Sequence, residues 1–207
     1  MRDPIKEQDS SVFKLVLQEI LSRIIKICGC QATGIRLEKN KDFPFYINKN
    51  LPDFFLLKEN SLLVKDENDH LVYNQNNSEL LDCMCGNVIL GRFNPVFPFF
   101  SKKGSFWTNS TTHLLSTITE EQRKFVGPTR NLCNRSGYES VALIPIKENC
   151  KTMGMFYLAD PRENMFPIEK IEKLEIVAQK SAAIIKHTNK IAQKLLNIDK
   201  NFCKSKD

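Results

Sequence analysis

The chain has 207 residues, of which 42% are hydrophobic and 26% are charged, and its formal net charge is +6. This composition is typical of a globular protein that is long enough to bury one sizeable core. No apolar stretch approaches the roughly 20 residues that span a bilayer, and the polar first residues are unlike a secretory signal. We therefore predict a cytoplasmic protein that does not bind membranes.

The positive charge is concentrated near the end of the chain. The lysines of this region are Lys186, Lys190, Lys194, Lys200, Lys204 and Lys206. A nucleic-acid-binding surface would combine such cations with groups that read or stack on bases, and this region offers little beyond Phe202. We predict a solvated helix surface here, and no nucleic-acid partner.

The first half of the chain opens with apolar residues at three- and four-residue spacing, which predicts a helix over residues 11–28. Gly29 ends this helix. Two strands joined by a turn follow, then a short helix and a polar, Asn-rich loop; these are residues 32–39, 43–49, 51–63 and 64–79. The cysteine segment "LDCMCGNVILG" comes next, followed by an irregular stretch with two prolines.

The second half predicts a short strand, a helix, a pair of strands and a closing helix. These lie at residues 105–109, 110–126, 138–148, 152–160 and 166–196. The segment 127–137 has no clear pattern, although it ends in a turn. The order of elements predicts an α+β fold, with one antiparallel sheet, helices on its faces and long terminal helices.

The closing helix carries two apolar stripes. One follows a three-four repeat through Ile171, Leu174, Ala178, Ser181, Ile185, Thr188, Ala192 and Leu195, and a second has a period of seven through Val177, Ile184, Ile191 and Ile198. A single stripe suffices to cover a domain core. The second stripe predicts a partner helix and hence a homodimer, whereas one wide buried face is the alternative.

The segment 136–185, "SGYESVALIPIKENCKTMGMFYLADPRENMFPIEKIEKLEIVAQKSAAII", resembles the second half of a GAF domain. The features that carry the resemblance are a turn at Gly137, Ser140, the "LIPI" strand, a Met-Gly step, "FYLAD" and a Phe-Pro helix start. Upstream, "CGCQATGIRLEK" and "CGNVILGRF" resemble the first strand and the segment over the ligand pocket. The resemblance covers residues 11–190 as one domain, between a polar tail at 1–10 and a basic end at 191–207.

The segments "CMCGNVILGRF", "GSFWTNST" and "RNLCNRSGYESVALIPI" resemble a cysteine-containing subset of GAF domains, found in bacterial and archaeal sensor histidine kinases. This resemblance implies a GAF/PAS-like sheet of about six strands, a pocket for a small molecule on one face, and dimerisation through helices. It also implies a histidine kinase or another signalling protein as a partner. The chain has no kinase phospho-acceptor or ATP-binding motif, so we predict a sensing module and not the kinase itself.

The resemblance brings four cysteines to one end of the pocket: Cys30, Cys83, Cys85 and Cys133. Four thiolates suit tetrahedral zinc or an iron–sulfur cluster, and ligand type does not separate these two. Haem is a further option, although no Cys-x-x-Cys-His attachment motif is present. The alternative is that these cysteines are small buried hydrophobic residues, which we also expect of Cys28, or surface thiols, as for Cys150 and Cys203.

Two other thiol chemistries remain open. Cys85 precedes Gly86 at a predicted helix start, where the helix dipole favours a thiolate, so Cys83 or Cys133 could pair with it in a redox switch. Cys85 and Cys133 also resemble the cysteines of free methionine-(R)-sulfoxide reductases, which are GAF-fold enzymes. That alternative predicts catalysis by thiol attack on the sulfoxide sulfur.

Four other residues are candidate ligand contacts. Trp107 and Asn109 in "FWTNS" could stack on and hydrogen-bond a ligand, or could serve as a core aromatic and a cap. Arg36 and Arg92 could bind an anion or face solvent. No carboxylate pair indicates acid–base catalysis.

Overall fold

The computed structural model describes residues 4–73, 79–126, 129–149 and 151–204, with the side chains of 4–11, 192, 193 and 195–204 left out. Seven helices lie in these ranges: α1 (Pro4–Cys28), α2 (Asp53–Glu59), α3 (Cys83–Ile89), α4 (Thr111–Thr117), α5 (Glu120–Val126), α6 (Leu132–Arg135) and α7 (Ile168–Lys204). Five strands accompany them: β1 (Ala32–Leu37), β2 (Phe45–Lys49), β3 (Phe106–Thr108), β4 (Ser140–Glu148) and β5 (Lys151–Asp160). Cys150 and Cys203 lie outside the described side chains.

One antiparallel sheet organises the molecule, with the strand order β2-β1-β5-β4-β3. The predicted α+β class is therefore confirmed, with five strands in the described part of the chain where about six were expected. At the outer edge of β3, Phe100 makes an isolated antiparallel bridge to Phe106.

Alternate residues of the two central strands face opposite sides of the sheet, as the pleat of a strand requires. On β4, Ala142 and Ile144 join one buried cluster, whereas Val141 and Leu143 join the other. β4 and β5 are covered on both sides, so their central residues are apolar almost without interruption. The sheet thus has a helix face, covered by α1 and α7, and a pocket face, covered by α2–α6.

α1 and α7 form the layer on the helix face. α1 begins at Pro4, inside the segment predicted as a tail, and proline is favoured at a first helical position because its missing N–H is not needed there. Lys170 Nζ donates to the Cys28 carbonyl oxygen at 3.0 Å, so α1 ends where α7 begins and the helices run antiparallel. The domain bounds 11–190 and 191–207 stay predictions.

The first apolar stripe of α7 is buried, as predicted, at Ile171, Leu174, Ala178, Ser181 and Ile185. On the second stripe Val177 is half-buried, whereas Ile184 and Ile191 are 46% and 44% exposed. Ala192, Leu195 and Ile198 lie outside the described side chains. Within the described ranges, no helix combines the length and apolar character that crossing a membrane requires.

The predicted helix over 110–126 is two helices in the structure. α4 ends at Thr117, because Ile118 takes an extended conformation with ψ 126, and α5 begins at Glu120. The Thr119 amide is bound by the Gln122 side chain, which acts as a local start signal for α5. The segment without a clear pattern contains the single turn of α6.

Candidate functional site

α3 positions the cysteine segment on the pocket face. Asp82 caps the helix by accepting from the Cys83 backbone N–H at 2.6 Å, which is the role that Asp commonly takes at a helix start. All seven α3 residues are buried. Gly86 allows this close packing, because a Cβ there would lie 2.8 Å from backbone atoms of Leu81.

A cavity of about 70 Å³ lies between α3, the sheet and the helices α4–α6. Its walls are almost entirely apolar. The lining residues are Cys83, Met84, Cys85, Phe106, Thr108, Thr111, Leu114, Leu115, Val126, Thr129, Asn131, Cys133, Asn134, Val141 and Leu143. No charged side chain is among these described wall residues, so the site suits a small uncharged group.

Three of the predicted site cysteines, Cys83, Cys85 and Cys133, line this cavity. Cys133 Sγ lies 3.3 Å from the Tyr157 hydroxyl. Burial raises the pKa of Cys85 well above its ordinary value and that of Cys133 to about 12, and it also raises the pKa of Cys83. All three are therefore thiols at neutral pH, and the expectation that the start of α3 favours a Cys85 thiolate loses to desolvation.

Cys30 lies away from this group. It belongs to the buried cluster of the helix face, where its Sγ is 2.7 Å from Cys28 Sγ, whereas Cys85 belongs to the cluster of the pocket face. The structure therefore does not assemble the four-cysteine set that was expected to bind zinc or an iron–sulfur cluster. Among the described side chains, no three His, Cys, Asp or Glu residues form a group suited to a metal ion.

Arg36 is fully buried on the pocket side of β1. Its guanidinium donates to the carbonyl oxygens of Phe43 and Asn60 at 2.8 and 3.1 Å and to that of Glu59, and it lies 3.7 Å from the centre of the Phe45 ring. These bonds occupy both terminal nitrogens, so Arg36 ties the β1–α2 region together. Its Nε has no partner in the described structure.

Glu59 faces the same buried region and was not singled out from the sequence. Its carboxylate is buried, and one oxygen lies 3.9 Å from Arg130 Nη1 while the other has no partner among described atoms. Arg130 also donates to Asp82 at 3.0 Å. Burial raises the pKa of Glu59, although Arg130 and Arg36 oppose the shift. A signal was present in Arg36 itself, since an arginine inside an apolar strand calls for buried acceptors nearby.

The other three predicted ligand contacts lie outside the cavity. Trp107 packs on the helix-face cluster, because β3 turns Phe106 and Thr108 toward the cavity instead. The Asn109 side-chain amide bonds both backbone groups of Phe166, at 2.8 and 3.1 Å, and so fixes the chain just before α7. Arg92 is exposed.

The sequence matches none of the protein-family models and none of the curated proteins with which it was compared. Solved structures do share the fold. A domain of a protein assigned as a two-component sensor histidine kinase from Sinorhizobium meliloti 1021 has a TM-score of 0.54 at 10% identity, covering 87% of this chain and 96% of that one.

Two further solved structures agree with this result. The GAF domain region of a protein from Geobacter sulfurreducens PCA gives a TM-score of 0.54 at 13% identity, covering 87% of this chain and 97% of its own. The second GAF domain of DevS from Mycobacterium smegmatis gives 0.52 at 8% identity, covering 88% and 99%. At these identities the likeness concerns the fold.

Proposed function

We propose that this chain, which has the fold of GAF domains, is a signal-sensing module that binds a small uncharged molecule in the cavity beneath α3. One observation carries the proposal: the cavity and the terminal helices lie on opposite faces of the same two central strands. Occupancy on one face is thereby placed one strand layer away from the helices on the other.

The chemistry of the walls defines the ligand class. Bringing a charge into this cavity would carry a large desolvation cost, because no described wall residue offers a countercharge. The volume is below that of the 150 Å³ cavities that bind benzene. A molecule of a few heavy atoms therefore fits best, and the sulfur atoms of Cys83, Cys85 and Cys133 add polarisable contacts.

The relay follows from the alternation of β4. Val141 and Leu143 line the cavity, while Ala142 and Ile144 pack in the cluster that holds α1 and α7. A ligand that prefers one position of β4 shifts the population of helix positions by its differential affinity for the two states.

The proposal includes the output partner. Ile184 and Ile191 are seven residues apart on α7, are exposed in the single chain, and continue the stripe that predicted a second helix. We place a second copy of the chain on this stripe, and a histidine kinase or another signalling protein downstream.

Xenon tests the binding step, since it enters apolar cavities without needing a specific contact. Saturable shifts of amide NMR signals from α3, α4 and β4 are expected under xenon pressure. The Cys133→Leu variant fills the cavity and should abolish them, whereas Cys133→Ser keeps the side-chain size and should retain them. Shifts that are equal in both variants, or that do not saturate, would refute the binding proposal.

The thiol enzyme remains the second candidate, because three cysteines and the Tyr157 hydroxyl meet at one cavity. Its discriminating assay is turnover of free methionine sulfoxide with a thiol reductant, compared with the Cys85→Ser and Cys133→Ser variants. The raised thiol pKa values predict no turnover at neutral pH. Turnover that either substitution abolishes would make the chain an enzyme.

A further inference from the structure

A second pair of thiols lies on the helix face, at the turn between α1 and β1. Cys28 and Cys30 flank Gly29, which adopts a φ of +60 that glycine accepts without cost. This turn folds the two side chains together, with Sγ atoms 2.7 Å apart and the Cys30 N–H donating to Cys28 Sγ at 3.3 Å. A disulfide bond is about 2.05 Å long, so little movement separates the dithiol from a bonded pair.

Neighbouring groups hold this turn and favour a charged sulfur. The Lys170 ammonium is bonded to the Cys28 carbonyl, and Arg162 Nη2 donates to the Gly29 carbonyl at 3.1 Å. The hydrogen bond from Cys30 lowers the pKa of Cys28, with help from the charge of Lys170 and against the effect of burial. The three cavity thiols lack this support, and their pKa values are raised.

We propose that Cys28 and Cys30 form a peroxide-sensitive dithiol, a site of reversible oxidation separate from the cavity. The Cys28 thiolate attacks one oxygen of hydrogen peroxide; the O–O bond breaks, Cys28 becomes a sulfenic acid, and hydroxide leaves and takes up a proton. The Cys30 sulfur then attacks Cys28 Sγ, the S–O bond breaks, and water leaves with the Cys30 proton. In sum, two thiols and one peroxide give one disulfide and two waters.

The roles of the two cysteines follow from their environments. Cys28 carries the negative charge, because Cys30 and Lys170 stabilise it there. Cys30 is the resolving thiol, because it is one residue beyond the turn and already in contact. Both are buried, at 1% and 7% exposure, so a water-sized oxidant reaches them more readily than a bulky disulfide.

The site lies at the junction of the terminal helices. Lys170 belongs to the first turn of α7, and its contact with Cys28 joins this turn to the end of α1. Oxidation would therefore act at the α1–α7 junction whether or not the cavity binds a ligand, and the inference does not rest on the proposed function.

Peptide mapping of the full chain provides a direct test. Cleavage after Lys26 and Arg36 releases a peptide, residues 27–36, that contains Cys28 and Cys30 and no other cysteine. After brief treatment with hydrogen peroxide and alkylation under denaturing conditions, this peptide is expected to lose two hydrogens and both alkylation sites. A thiol reductant should restore both. The peptide 66–92, with Cys83 and Cys85, serves as the internal control and should react at least about tenfold more slowly.

Single substitutions separate the two steps. Cys30→Ser should trap Cys28 as a sulfenic acid that a dimedone probe labels, whereas Cys28→Ser should remove peroxide reactivity from the peptide. Circular dichroism establishes that each variant is folded before it is used. Full alkylation of residues 27–36 after peroxide in the folded wild type would overturn the proposal, as would faster oxidation of the Cys83/Cys85 peptide.

Discussion

The two faces of the sheet are built in different ways. The helix face is one apolar cluster under two long helices, and its buried residues recur at regular spacing along α1 and α7. The pocket face is covered by five short helices and holds a cavity, a fully buried arginine and a buried glutamate. Regular packing gives the helix face its stability, whereas the pocket face gives up packing for space and polar groups.

This difference indicates where binding and stability reside. Native interiors are close-packed, and a void forfeits the contacts that its walls would otherwise make. A cavity is therefore expected where the covering elements are short and separately anchored, as α3 is by Asp82 and Gly86. The following experiments would break or sharpen the contrast.

The largest expected effect is at Arg36. Arg36→Met keeps much of the apolar stem but leaves three carbonyl oxygens without their donor and removes a countercharge from Glu59. We expect a loss of about 3–5 kcal/mol in the free energy of unfolding, measured with urea. The matched variant, Arg92→Met at an exposed position, should change it by no more than about 0.5 kcal/mol. Equal effects would contradict the structural role of Arg36.

A pair of leucines compares the two faces directly. Leu174 is enclosed on the helix face, whereas Leu143 lines the cavity. Leu174→Ala should cost about 3–4 kcal/mol within the usual range for such truncations. Leu143→Ala should cost at least about 1 kcal/mol less, because part of its surface already lacks partners. A larger cost at Leu143 would mean that the cavity is closed in solution.

Asp160 gives a pH-dependent prediction. Burial opposes its charge, but hydrogen bonds from Arg162 and from the Gln31 amide hold the pKa of Asp160 below its ordinary value. Its stabilisation is therefore present above the unfolded-state pKa of about 3.9 and is lost as the pH falls through the lower folded value. Asp160→Asn should cost about 1.5–3 kcal/mol at pH 7.

The same measurement repeated at lower pH completes this test. The difference between wild type and Asp160→Asn should shrink steadily from about pH 4 downward. The exposed Asp53→Asn variant controls for the general effect of removing a carboxylate. A difference that stays constant down to pH 2 would show that the charge of Asp160 is not what stabilises the fold.

The smallest expected effect on stability is at Ile184. Ile184→Gln should change the free energy of unfolding of a single chain by about 0.5 kcal/mol or less, because the side chain is half exposed. If a second copy covers this stripe, the substitution should weaken self-association in sedimentation equilibrium by about tenfold or more. Unchanged association, with Thr188→Ser as the control, would remove the proposed dimer surface.

The sequence predicts the helix face well, for a physical reason. Burial on one side of a long helix leaves a periodic signal, and Ile171, Leu174 and Ala178 could be identified from spacing alone. The antiparallel strand pairs and the GAF-like order of elements could be identified from similar local signals.

The pocket face was harder to predict, because its features depend on contacts between distant segments. No local pattern places Arg130 against Glu59 and Asp82, or sets Cys133 beside Tyr157. The Cys30 prediction shows the same limit, since adjacency to the first strand said nothing about which face its side chain occupies. The break between α4 and α5 depended on a single residue, Ile118.

The most direct test of the central claim is whether cavity occupancy reaches the opposite face. Methyl NMR signals of Val141 and Leu143 report the cavity, and those of Ala178 and Ala182 report α7 where it packs on the sheet. Under increasing xenon pressure both sets should shift and reach half-saturation at the same pressure, and Cys133→Leu should abolish both responses. Cavity signals that shift while the α7 signals stay fixed would contradict the account.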